Sequence, residues 1–535
     1  MRVSLLFAAL ILIPALSLSQ DDAPAPLLDG MGTHKFPVST DSRLAQQYFD
    51  QGFVLCYGFN NQEAHRSFMY ATKLDPDCAM AYWGAALALG PNLNSGMSKT
   101  KGKKAAELIA EAMKRLDTAT PREQALIVAL DERYSLDEDA KRSTLDRAYA
   151  EAMGEVAKQY PDDDDVLTMT AESLMNLHKW NYWNRDGTPK EWTTEITDLL
   201  ARALVINPWN PGANHFTIHS WEGSKTPEVA EPAADRLLGL VPGVSHLQHM
   251  PSHIYLLTGR YHEGSIANIG ATAAYDRYAM LCTDMGLSPI GGYKAHNWDF
   301  LWHCARWEGR GDLALEAAEK LASFVRLRVN SQRQHALPMY TMIQFMRWEE
   351  ILDTPEPSDE YGYLQFVWHY GQAMAMVSGG NTTAASDHLI EMRTLADAEN
   401  IRAWRVRQAN SMTKIALGMV EAEIAVAAKD YDAAIAALQD ARDVEEGLTY
   451  RETRVWPHPV QITLGRVLML AGRLDEAEAA YRENLKESPE NGWSLHGLAA
   501  VLKLQGKQAE SAECMLRYSQ AWQFSDVQLT DSQGK

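Results

Sequence analysis

Small, apolar and aromatic positions recur along this 535-residue chain at fixed offsets. Gly52, Ala64, Phe68 and Pro76 are matched, offset for offset, by Gly465, Ala477, Tyr481 and Pro489. A small residue lets two helices approach, Ala and the aromatic ring fill the seam between neighbouring units, and proline cannot continue the second helix. In the middle of the chain Pro208 and Pro242 lie 34 residues apart. Between them Ala230 and Ala234 take the seam positions, and Ser252, Gly264 and Asn268 take the matching offsets after Pro242. Gly259-Arg260, Gly309-Arg310 and Gly472-Arg473 mark turns between paired helices. The pattern predicts helices nearly throughout, and no strand is required.

The interruptions are equally regular. Pro161 and Pro208 are 47 residues apart, 13 more than one repeat, and the polar, aromatic stretch Lys179–Trp192 supplies that excess as a loop. A second loop is expected from Pro91 to Lys101. Residues 353–360, DTPEPSDE, form an acidic, proline-rich break between an array over 45–352 and another over 361–525. Residues 20–44 read as an extended segment and 526–535 as a polar tail.

The Gly, Ala, aromatic, Pro pattern resembles the tetratricopeptide repeat, a helix-turn-helix unit of about 34 residues. The resemblance implies an all-α, right-handed superhelix, an α-solenoid with a concave inner groove lined by the first helix of each unit. It also implies that one stripe of that helix, stepping by three and four residues, meets ligand.

Eight of the sixteen histidines lie between His215 and His303. Counted from the unit starts, His215, His219 and Glu222 fall on the inner stripe of one helix. His246, His249 and His253 fall on it in the next, and His296 and His303 in the one after. Glu172 takes the same position one unit earlier. Residues three, four or seven apart share a helix face, so the stripe points these seven imidazoles toward a common space. Pro251 is expected to start its helix and so to displace His246 and His249. His262 falls off the stripe and reads as surface.

Packed neutral imidazoles leave donors and acceptors unmatched, and protonated ones repel. A transition metal resolves both problems. Nitrogen ligands with one or two carboxylates suit zinc, copper or iron, with Glu172 or Glu222 as ligand or general base. Seven histidines exceed one tetrahedral site, which leaves two ions, or one ion with outer partners, open. A histidine-lined pocket for an anionic or peptide ligand and a purely structural cluster are the competing readings. No Glu stands between the paired histidines in an HExxH string, so a protease is not inferred. Trp298, Trp302 and Trp307 read as seam fillers, and Asn60, Asn92 and Asn94 as turn residues.

Charge and the N-terminus narrow the setting. A net charge of −20 disfavours nucleic acid. Arg2 followed by the apolar run Val3–Leu16 reads as a signal peptide over residues 1–19, which places the mature chain in the periplasm or outside, with no transmembrane anchor. Five cysteines cannot all pair. Cys56 with Cys78, and Cys282 with Cys304, are candidate bridges, leaving Cys514 over.

The strings LDPDCAMAYWGAALALGPN, NHFTIHSWE, SHLQHMPSHIY, HNWDFLWH and ENGWSLHGLAAVLKLQGK together resemble a group of exported bacterial tetratricopeptide-repeat proteins. That likeness carries no reaction. Two functions remain in competition: a metal-binding repeat protein, metal-dependent if it is an enzyme, acting on a small molecule or peptide, and a scaffold that captures a peptide or protein partner in its groove.

Overall fold

The computed structural model describes residues 25–137, 139–291, 293–448 and 452–529. The proposed signal peptide lies outside them. The described residues are helical with irregular connections, and isolated bridges pair Asn92 with Ser95 and Trp183 with Pro189. Helices follow one another as antiparallel hairpins, from Arg43–Tyr57 with Asn61–Leu74 at one end to Gly492–Leu504 with Gln508–Ala521 at the other. The protein is an all-α helical-repeat solenoid.

Packing shows why the repeated residues recur. A Cβ on Gly52 would stand 2.9 Å from the Phe68 ring, and one on Gly465 would stand 2.8 Å from the Tyr481 ring. The same rings press on a glycine of the following hairpin, Gly84 and Gly497, with ideal Cβ distances of 2.5 and 2.3 Å. Each aromatic ring is therefore wedged between two glycine-bearing helices. Ala64, Phe68, Ala477 and Tyr481 are all buried. Gly259, Gly309 and Gly472 have φ of 82°, 79° and 75°, the left-handed conformation that turns the chain between paired helices.

The solenoid curls tightly enough for distant units to touch. The first helix packs on Pro211–Trp221. At the other end, the Tyr261 hydroxyl donates to the Pro489 carbonyl at 2.6 Å, and the Trp522 indole N–H donates to the Trp307 carbonyl at 2.9 Å. The apolar core forms two clusters, one running from Ala25 to Tyr255 and the other from Leu301 to Cys514. The histidine-bearing helices lie where they meet.

Two expectations are corrected. All five cysteines are free thiols, so neither candidate bridge forms. Cys78 is the residue before the Ala79–Leu89 helix, while Cys56 lines a small void beside Glu172. His262 is not a plain surface residue: it is only partly exposed, its Nδ1 lies 2.5 Å from the buried Glu308 carboxylate, and its ring stacks on Phe524 at 3.7 Å. No described helix is long and apolar enough to cross a membrane.

Candidate metal centre

Three first helices of successive hairpins carry the site. Pro211–Trp221 opens with Asn210 capping the Ala213 N–H at 2.8 Å and Pro211 at its first position, and sets His215 and His219 one turn apart. The next inner segment is broken by Pro251 into Ser245–His249 and Pro251–Thr258, because proline lacks the N–H that would bond back to Leu247. The break does not displace the ligand candidates. Met250 keeps helical dihedrals, and His246, His249 and His253 all face inward. Lys294–Trp307 brings His296.

Six of the seven histidines converge, and they do so as two triads. His215, His219 and His246 form one, and His249, His253 and His296 the other; within each, one ring nitrogen per residue lies within 4.8 Å of the others. Five of the six are buried, with His296 partly exposed. The triads abut, with ring centroids 5.7 Å apart for His219 and His253 and 5.8 Å for His246 and His249.

Hydrogen bonds at Nδ1 fix which nitrogen each ring presents. The Tyr57 carbonyl accepts from His215 Nδ1 at 2.6 Å, and Gly212 permits this approach, since a Cβ there would stand 2.4 Å from the Tyr57 ring. Glu222 joins the triads: Oε1 accepts from His219 Nδ1 and Oε2 from His253 Nδ1, both at 2.6 Å. Asn268 donates through Nδ2 to the Gly264 carbonyl, so its Oδ1 accepts from His249 Nδ1 at 2.7 Å. Four rings therefore have Nδ1 committed as donor and Nε2 left with a bare lone pair.

Those lone pairs are poorly satisfied. Nε2 of His215 and of His219 has no partner, nor does either ring nitrogen of His246. Leaving a buried polar atom without a partner costs about 1–3 kcal/mol. Nε2 of His249 and of His253 lie 2.8 Å apart. Two lone pairs at that distance repel unless a cation, a proton or a metal ion, sits between them.

Burial pushes the imidazoles of His215, His246 and His249 well below the usual histidine range, and neighbouring imidazoles add to the effect. His296 is pulled down to about 3 by burial and by His253. His253 moves the other way: burial opposes its protonation, but Glu222 outweighs burial. For Glu222 itself burial favours the neutral acid, while His253 and His219 hold it ionised, far below the usual carboxylate range.

Residues from distant segments enclose the centre. Phe59, held at φ 53°, places its ring 4.7 Å from His215, 5.9 Å from His219 and 5.4 Å from His246. Phe300 lies against His249, His253 and His296, and Tyr293 stacks on His246 at 4.0 Å. The loop after residue 178 contributes Trp180, at φ 59° and edge-on to His219 at 5.0 Å. It is tied to the loop after Pro91, where the Leu93 carbonyl accepts from the Trp180 indole at 3.3 Å and Ser95 from Lys179 at 3.0 Å. Asn94 in turn donates to the Tyr293 hydroxyl at 3.1 Å. Local strain of this kind gathers at binding sites. Glu452, at φ 67°, adds a carboxylate whose electrostatic neighbours are His253, Glu222 and His219.

Two candidates fall outside. His303 shares a face with His296 but lies seven residues on, about 10 Å along the axis. It is buried beside Trp302, and burial together with Arg306 and Arg333 depresses its basicity. Glu172 lines a void of about 40 Å³ with Arg133, Tyr149, Cys56 and Phe59, whose ring also packs on His215. Glu172 accepts from the Asn176 amide, and its charge is opposed by Arg133 and Lys179. Neither residue joins a triad. Two further histidines lie apart from the triads: His34 pairs with Asp165 at 3.0 Å, and His458 donates to the Tyr340 carbonyl at 2.8 Å.

Fold and site together define an all-α helical-repeat solenoid with two adjoining histidine triads on its inner face. No family model and no curated protein sequence matches the chain. Among solved structures it is similar to the Cut9–Hcn1 hetero-tetramer of the APC/C, at 15% identity over 86% of this chain and 76% of that one, with a TM-score of 0.30. It is also similar to the human IFIT1 dimer with PPP-AAAA, at 12% identity over 91% of this chain and 92% of that one, with a TM-score of 0.29. Likeness at this level says nothing about chemistry, and the fold assignment rests on the glycine and aromatic packing described above.

Proposed function

We propose that this is an exported metal-binding repeat protein in which each histidine triad holds one transition-metal ion. The observation that carries this reading is the orientation of the rings. Nδ1 of His215, His219, His249 and His253 is anchored to a carbonyl, a carboxylate or an amide oxygen, and every Nε2 so freed points at another histidine of the cluster or lacks a partner. Anchoring one ring nitrogen to free the other is how proteins prepare histidine for a metal. A metal nitrogen bond of about 2.0–2.1 Å places two tetrahedral ligands about 3.3 Å apart, so the His249–His253 contact has to open by only about 0.5 Å. Three protein ligands per ion leave a position open for a small molecule, the arrangement of catalytic rather than structural sites. Glu222 then serves as the shared outer carboxylate, not as a base.

Metal analysis of untagged protein tests this. The full chain should carry two ions, and His215→Ala/His219→Ala or His249→Ala/His253→Ala should each carry one while remaining helical by circular dichroism. Folded wild-type protein that takes up no zinc, copper or iron would sink the proposal.

A second reading draws on the C-terminal array. There a groove of about 720 Å³ is lined by Trp307, Trp348, Tyr370, Met419, Met469 and Trp493 among others. Aromatic and methionine side chains are suited to anchoring a peptide, so capture of a protein partner is compatible with a metal centre elsewhere in the chain.

A further inference from the structure

Both triads are built from imidazole alone, and neither contains a carboxylate oxygen or a thiolate. Glu222, the anion in contact with the ligands, has both oxygens engaged by His219 and His253. Two divalent ions would bring four positive charges into a buried space against two carboxylates, Glu222 bonded to the ligands and Glu452 beside them. Uncompensated buried charge is costly, and two monovalent ions halve what must be compensated. Of the metals that imidazole suits, namely zinc, copper, iron and nickel, copper alone has an ordinary monovalent state, and that state is content with three ligands.

The space between the triads limits what else binds. Rings from opposite triads stand 5.7 and 5.8 Å apart, about as close as rings within one triad, such as His215 and His246 at 4.9 Å. The surrounding walls, Phe59, Phe300, Tyr293 and Trp180, are aromatic. A ligand of very few atoms, without charge on entry, fits these limits.

Resting on the two-ion reading above, we propose that the centre holds a pair of copper(I) ions and binds dioxygen between them. Each copper(I) gives up one electron and becomes copper(II). Dioxygen accepts both electrons, its double bond becomes a single bond, and it is held as a dianion. No proton is required. The ions gain two positive charges and the dianion brings two negative ones, so the net charge of the buried site is the same before and after. A zinc pair has no electrons to give.

The test uses the full chain, stripped of metal and loaded without air with copper(I) as its acetonitrile complex, in parallel with zinc(II). Two copper(I) ions per chain are expected, retained against excess zinc. On admission of oxygen, one dioxygen should be taken up per two coppers. The product should give no copper(II) electron paramagnetic resonance signal, because the spins of two ions sharing a ligand pair. His249→Ala/His253→Ala, holding one copper, should give the signal of an isolated copper(II). A strong two-copper signal in the wild type, absence of uptake, or zinc displacing copper would overturn the dioxygen proposal and leave the two-ion reading standing. Failure to bind either metal would overturn both.

Discussion

The solenoid lines its inner face in two contrasting ways. In the centre, Pro211–Trp221, Ser245–Thr258 and Lys294–Trp307 carry histidines whose ring nitrogens lack partners or face one another, under a cover of aromatic rings from other units. In the C-terminal array the same architecture forms an open groove of about 720 Å³ lined by methionine and aromatic side chains. That groove also has a half-buried histidine, His458. Its Nε2 is bonded to the Tyr340 carbonyl at 2.8 Å and its Nδ1 meets the Tyr370 hydroxyl at 3.4 Å. The difference separates a structural histidine, with its hydrogen bonds complete, from histidines whose bonding is complete only with a cation.

Substitutions can break this contrast. The largest effect is expected from His215→Ala/His219→Ala, which should lose one of two ions outright, read by metal content. Next, Glu222→Gln should weaken both ions together by about 10–100-fold, because an amide offers one acceptor oxygen where two Nδ1–H groups need two; a titration showing only one ion affected would contradict its bridging place. His246→Leu and His458→Leu should then differ in sign in metal-free protein. The first removes two unpartnered buried nitrogens and should stabilise by about 1 kcal/mol; the second strips the Tyr340 carbonyl of its donor and should destabilise by about 1–3 kcal/mol, both read by denaturant unfolding. The smallest effect concerns pH. His296 titrates near 6.5 when unfolded and about 3 when folded, owing to burial and His253, so between those values the unfolded chain binds more protons. Metal-free protein should therefore lose stability as pH falls from 6.5 toward about 3, and His296→Ala should flatten that slope.

The repeat was readable in sequence because one ring must fit between glycine-bearing helices, and this constrains residue type at Gly52, Phe68, Gly465 and Tyr481. Gly84 and Gly497, which receive the other face of the same rings, carry an equal signal that offsets within one unit do not reveal. The histidine stripe anticipated the convergence of six of its seven rings and not the separation of His303, because helical periodicity gives a face but not how far along the helix a cluster extends. Glu172 matched the stripe, yet Phe59 enters from a unit far away in sequence. Superhelical curvature also brings Tyr293, Trp180 and Glu452 to the centre, and no local spacing encodes it. The Lys179–Trp192 insertion was visible as excess length, but its role in covering His219 was not.

The most direct test of the central claim is anomalous diffraction, at the absorption edge of the bound metal, from crystals of the full chain. Two peaks are predicted, one among His215, His219 and His246 and one among His249, His253 and His296, with Glu222 touching a ligand of each. A single peak shared by all six rings, or no peak in fully folded protein supplied with zinc and copper, would contradict it.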